Sequence, residues 1–264
     1  MTPATTTRRA PRRRRLLAGT ALAALAATAA VGGWGAPADA ATVHCYGLPA
    51  TVVGTSASET INASDGVTEG RDVINALGGN DLIFGLGGDD VICGGDGGDS
   101  ILGDTGNDKI AGNAGNDALW GEAGADALEG FGGDDRIYGG ANDDRLDGGD
   151  GNGAYFHLDW GDDTLEGEDG NDLLRGAAGK DRLDGGNGDL DDPANGTDTI
   201  YGYGGDDILR DISGRGDYLI GDSGDDHLYS RDAPAYPVGD LAHGGAGTDV
   251  CSSDANDNRQ ACES

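Results

Sequence analysis

Gly85-Leu86-Gly87-Gly88-Asp89-Asp90-Val91-Ile92-Cys93 is followed, with no residue inserted or lost, by Gly94 to Leu102, Gly103 to Ala111, Gly112 to Trp120, Gly121 to Glu129 and Gly130 to Tyr138. Each nine-residue unit opens on glycine, carries a carboxylate at its sixth position and an aliphatic residue at its eighth. The sixth positions form a ruler of acids: Asp72, Asp81, Asp90, Asp99, Asp108, Asp117, Asp126, Asp135 and Asp144. Two residues further on run Ile74, Ile83, Ile92, Ile101, Ile110, Leu119, Leu128, Ile137 and Leu146 with the same period. A short fixed period of this kind signals a stacked solenoid rather than a compact globule.

One reliable aliphatic residue per unit cannot form a helical stripe, and glycine recurs several times in each unit, so helix is excluded. The segment around the eighth position predicts a strand of about three residues. The glycine-rich hexamer before it predicts tight turns with left-handed dihedrals, which glycine adopts without a Cβ penalty. At the fourth position Asn142 replaces the usual glycine, and Asn is the side chain that best tolerates such dihedrals. If two repeats make one coil, like turns recur every two units and stack about 4.8 Å apart. One edge then carries Asp72, Asp90, Asp108, Asp126 and Asp144, and the other Asp81, Asp99, Asp117 and Asp135. Bare carboxylates so close repel, and the stack requires cations between them. Oxygen-only, anionic donors suit calcium, while the lack of paired His or Cys within the repeats disfavours zinc or copper.

The units resemble the RTX, or hemolysin-type, calcium-binding nonapeptide Gly-Gly-x-Gly-x-Asp-x-aliphatic-x over roughly residues 54 to 251. That resemblance implies an all-β fold, the parallel β-roll. It also implies several Ca2+ ions held between consecutive turns by the sixth-position Asp and backbone carbonyls of the hexamer.

The phase is interrupted several times. Residues 41–53 are expected to form an N-terminal cap and 54–150 a first array, in which Glu59 stands where Asp belongs and four extra residues precede Gly70. An aromatic insertion, 151–160, carries Tyr155, Phe156, His157 and Trp160. A second array, 161–229, resumes the ruler at Asp163, Asp172 and Asp181, then at Asp198 and Asp207 after an insertion, then at Asp217 and Asp226 after a one-residue slip near Asp211. Residues 230–264 are expected to hold a Pro-containing linker, a last repeat with Asp249, and a disulfide cap. Loops on one continuous roll explain these slips better than domain boundaries, since the phase resumes after each. Lys180, beside Asp181, and Gly98, Ala125 and Thr197, which drop the fifth-position Asn or Asp, are expected to weaken their sites. The unbroken block from Asp81 to Asp117 is expected to bind best.

Residues 1–40 combine Arg8, Arg9 and Arg12 to Arg15 with an apolar stretch from Leu16 and the sequence Ala38-Asp39-Ala40, the pattern of a cleaved signal peptide, through either the general or the twin-arginine route. Its removal deepens the formal charge from −31 to −36. Nucleic acid and anionic membranes are repelled at that charge, and no other segment is apolar enough to span a bilayer. Self-repulsion around a thin aliphatic core should leave the metal-free chain expanded. Four cysteines remain, Cys45, Cys93, Cys251 and Cys262, an even number suited to disulfides in an oxidising compartment. Of three possible pairings, Cys45 with Cys93 and Cys251 with Cys262 is favoured, because each ties a non-repetitive end onto the roll. Small secreted proteins with these repeats are similar around Cys45-Tyr46-Gly47-Leu48-Pro49-Ala50-Thr51 and Ile92-Cys93-Gly94-Gly95.

His44, His157, His227 and His243 are scattered, with no HExxH pattern. No Gly-x-Ser-x-Gly elbow or Walker lysine is present, and paired acids such as Asp89-Asp90 that recur in many units argue for metal ligation, since catalysis needs one site. With residues 41–53 alone between the signal and the repeats, no catalytic domain is expected ahead of them. The expectation is a secreted, non-enzymatic calcium-binding protein. A calcium-dependent adhesin or matrix component with a cell-wall, glycan or protein partner, or the calcium-binding remnant of an extracellular enzyme or toxin, are the alternatives.

Overall fold

The computed structural model describes residues 43–149, 161–186, 196–212, 216–230, 239–252 and 257–262. Residues 1–40, where a signal peptide is expected, the aromatic insertion and most of the two later insertions lie outside them. Among the described residues the chain forms two parallel sheets, one of ten strands from Thr60–Ile61 to Val250–Ser252 and one of eleven from Val52–Val53 to Asn258–Gln260. Successive strands alternate between the sheets, so two repeats make one coil. Leu119, for example, sits in register between Ile101 and Ile137. The chain is an all-β parallel solenoid, and its helical content among the described residues is a single 3-10 turn at Ala63–Asp65. No helix among them is long and apolar enough to cross a membrane.

The eighth-position ruler is the core. Ile74, Ile92, Ile110, Leu128 and Leu146 project from one sheet, Ile83, Ile101, Leu119 and Ile137 from the other, and all are fully buried in one continuous cluster. Later coils continue it through Leu165, Leu174, Leu183, Ile200, Leu209, Leu219 and Leu228 to Ala242 and Cys251. The chain re-enters register after each interruption, with Ile137 paired to Leu165, Leu174 to Ile200 and Ile200 to Leu219.

The strands are longer than the three residues expected. Val91–Asp96 and its counterparts run for six, because the hexamer backbone of each coil also bonds to that of the next. Pairing covers positions seven to nine and then two and three, as in Trp120 with Tyr138 followed by Glu122 with Gly140. Between these stretches the chain bends. Position two is left-handed even where it is not glycine: φ is 76° at Leu86, 76° at Phe131 and 71° at Tyr203. Such residues cost on the order of 1 kcal/mol each and persist only where neighbouring bonds fix them, as the Leu86 carbonyl is fixed by Thr105 N–H at 3.3 Å. Position four is left-handed as expected, including Asn142 at φ 89°.

Both favoured disulfides are formed, Cys45–Cys93 and Cys251–Cys262. The first anchors a hairpin, His44–Cys45 with Leu48–Pro49, on the outer face of the eleven-stranded sheet. There Cys45, Val73, Val91, Cys93 and Ala111 form a small second core. Lys109 Nζ lies 3.6 Å above the Tyr46 ring, whose hydroxyl donates to Glu129 Oε2 at 2.9 Å.

Candidate metal centre

The turns that close each coil stack in register, so sixth-position side chains fall into two rows, one along each edge. In the first row the N–H of Asp72 donates to Asp90 Oδ1 at 2.7 Å, Asp90 to Asp108 at 2.8 Å, Asp108 to Asp126 at 2.7 Å and Asp126 to Asp144 at 2.8 Å. The row continues across the insertions through Asp172, Asp198 and Asp217. In the second row Asp81, Asp99, Asp117, Asp135, Asp163, Asp181, Asp207 and Asp226 follow the same rule. All sixteen aspartates named from the sequence therefore fall in the two rows, and all are buried.

One oxygen of each carboxylate is thereby occupied by backbone. The other is not, for most of them. Oδ2 of Asp81, Asp90, Asp99, Asp108, Asp117, Asp126, Asp144, Asp172, Asp181, Asp207 and Asp226 is buried, and no hydrogen-bond donor among the described residues reaches it. A buried ionised carboxylate without a counter-charge is costly, and it must take up either a proton or a cation. Burial is the main reason these groups hold protons unusually well, opposed by the backbone N–H bond and aided by neighbouring carboxylates. Asp99 and Asp126 are pushed up to about 6, Asp90, Asp117 and Asp172 to about 7, and Asp181 to about 8.

The donor set is oxygen throughout. Position-one glycines bring a further backbone oxygen near many of these carboxylates: the space a Cβ would take on Gly112 is occupied by Asp117 Oδ2, with the Gly130 carbonyl of the next coil 2.9 Å from that point. Stacked carboxylates with unclaimed buried oxygens, beside backbone carbonyls, fit a hard divalent cation. A model of the RTX calcium-binding nonapeptide repeat matches residues 67–101, 94–128, 124–153, 157–189, 194–210 and 212–232, more than half of the chain. This chain belongs to the RTX calcium-binding repeat family. No curated protein matches it. Calcium binding is the property the RTX repeats carry, and their oxygens in this chain fit it.

Several residues stand apart from the regular RTX pattern. Asp72 is already served by protein: Thr68 donates to its Oδ2 from N–H at 2.7 Å and from Oγ1 at 2.9 Å, and Thr51 Oγ1 reaches its Oδ1 at 3.2 Å. Thr68 lies four residues before Asp72, within the same repeat. Lys180 does not turn toward Asp181; its exposed ammonium pairs with Asp206 Oδ2 at 2.5 Å. Asp206 belongs to an outer, exposed row of fifth-position side chains, whose oxygens accept N–H groups of the next coil, as Asp89 does from Asn107 at 2.9 Å and Asn107 from Ala125 at 2.8 Å.

Three acids that continue the rows were absent from the expected ligands. Asp240 accepts from Asp217 N–H at 3.0 Å and Asp257 from Asp240 N–H at 3.2 Å, extending one edge by two coils, and Asp249 accepts from Asp226 N–H at 3.0 Å, extending the other by one. Ala242 stands where the aliphatic marker belongs, two residues after Asp240, and concealed that unit. Asp211, also absent from the expected ligands, occupies a position-one site.

Proposed function

We propose that this protein is a secreted, non-enzymatic calcium binder whose roll folds when it leaves a low-calcium cytoplasm for millimolar calcium outside. The observation that carries the reading is the double row of buried carboxylates, most of which hold one oxygen unclaimed by any donor among the described residues. Two disulfides suit an oxidising compartment and support export, as does the signal-like sequence of residues 1–40. Calcium bound only by the folded state stabilises it by RT ln(1 + [L]/Kd) per site, roughly 1 to 3 kcal/mol at modest saturation. Over many rungs these terms add to overcome the repulsion of a chain this acidic.

Circular dichroism of the mature protein in chelator and in calcium at pH 7.5 tests the reading. Strand signal should rise on calcium addition and rise far less with magnesium. An equally folded protein in chelator would count decisively against it.

One observation favours the adhesin alternative. Phe84, Leu102, Trp120 and Tyr138 stack in register along the outside of the ten-stranded sheet, with the Trp120 and Tyr138 rings 5.6 Å apart and nearly parallel. Partly exposed stacked rings suit the apolar face of a sugar. Glycan arrays probed with calcium-loaded protein and a Trp120→Ala control separate the two readings.

A further inference from the structure

The repeat reserves its first position for glycine, because a side chain there would enter the space of the sixth-position carboxylate. At Gly94, for example, the place of a Cβ is taken by Asp99 Oδ2, with the Gly112 carbonyl of the next coil 2.9 Å away. Among the described residues Val67, Ala76, Asp211 and Ser230 depart from this rule, and of these Asp211 alone brings a carboxylate. Arg182–Gly186 pairs with Ile208–Asp211, and the residue stacked on Gly185 is Asp211. Asp211 is fully buried. Above it the next residue in the column is Ser230, also fully buried and also not glycine.

The consequence is a different donor set. Asp211 Oδ2 lies 2.5 Å and Asp198 Oδ2 2.7 Å from the point where a Cβ of Gly185 would sit, so two carboxylate oxygens converge where a regular coil offers one carboxylate and one carbonyl. Asp217 closes the group from the next coil, its Oδ1 accepting the Asp198 N–H at 2.9 Å. Ligand oxygens of Asp198, Asp211 and Asp217 all lie within 4.8 Å of one another, the one place among the described residues where three acidic side chains converge so closely. Asp198 Oδ2 is buried and faces the Asp211 carboxyl, with no N–H donor among the described residues in reach.

We infer that Asp198, Asp211 and Asp217 form a three-carboxylate calcium site distinct from the regular rungs, and that it is the tightest in the roll. This rests on the calcium reading above and adds to it a ligand, Asp211, that the nonapeptide pattern does not supply. Affinity of oxygen sites rises with the charge of their ligands, and one more carboxylate at contact distance outweighs the regularity of the Asp81 to Asp117 block.

The test uses the mature protein stripped of calcium, titrated by calorimetry and weighed by native mass spectrometry at limiting calcium. Wild type should show one ion bound at least about tenfold more tightly than the rest. Asp211→Gly restores the residue that regular coils carry, and Asp211→Asn keeps the volume without the charge. Both should lose that ion while their circular dichroism in saturating calcium matches wild type. Asp117→Asn, in a regular rung, should retain it. Isotherms and ion counts of both Asp211 variants that superpose on wild type would overturn the inference while leaving calcium binding intact. A wild-type protein that takes up no calcium would instead overturn the reading on which it rests.

Discussion

In the absence of calcium, acid should fold this protein. The carboxylates of the two rows hold protons far more tightly in the roll than in the open chain: Asp172 rises from an ordinary 3.8 to about 7, and Asp181 to about 8, chiefly because burial penalises the charged form. A group whose folded value is raised stabilises the fold fully below the unfolded value, and that contribution is lost as pH climbs through the folded value. Three units at Asp172 amount to roughly 4 kcal/mol as an upper bound, each unit being worth about 1.4 kcal/mol, and solvent near the turns reduces the figure. Even about 1 kcal/mol per site, over the many sites of the rows, exceeds the few kcal/mol by which a domain of this kind is stable. The chelated protein should therefore gain strand signal as pH falls from 8 to 5, with a midpoint between 6 and 7. Asp143, held low by bonds from Asn171, acts in the opposite direction, and only below about 4. Calcium competes for the same oxygens, so its binding should release protons, more at pH 6.5 than at pH 8.5. Circular dichroism against pH in chelator, and calorimetry in buffers of different ionisation enthalpy, measure both effects. A chelated chain folded more fully at pH 8 than at pH 5 would refute the reasoning.

Gly112→Ala should disable its coil, since the new Cβ would overlap Asp117 Oδ2 and lie 2.9 Å from the Gly130 carbonyl. We expect the loss of at least one calcium ion by native mass spectrometry and a lowered melting temperature in calcium. Replacing Cys45 and Cys93 together by Ser removes a link with a sequence separation of 48 residues, worth about 4 kcal/mol by loop closure. Hydrogen exchange should then rise in residues 43–50 and at the first coils, while the centre of the roll stays protected.

The period of nine made much of the site legible. Every coil repeats one local solution, so the phase of Ile110 and Leu128 alone assigns them to the core and places Asp108 and Asp126 on one edge. Asn142 was legible for the same reason, as the residue nearest to glycine in a left-handed position. Asp240 was hidden because alanine at 242 erased the marker that sets the phase, and a Pro-containing stretch precedes it. Position two was illegible for a different reason. Leu86, Phe131 and Tyr203 have no intrinsic preference for positive φ, and only the bonds between stacked coils hold them there.

The sequence by itself determined the solenoid, its two acidic edges and its oxygen-only donors, because a strict period turns local residue order into spatial order. The tertiary structure alone decided how each carboxylate is used. It gave one oxygen to the backbone of the preceding coil and buried the other, supplied Thr68 to Asp72, aimed Lys180 at Asp206, and set Asp211 beside Asp198. Those contacts join residues a full coil apart, across insertions that change the spacing, and a distance in space of that kind has no signature in neighbouring letters.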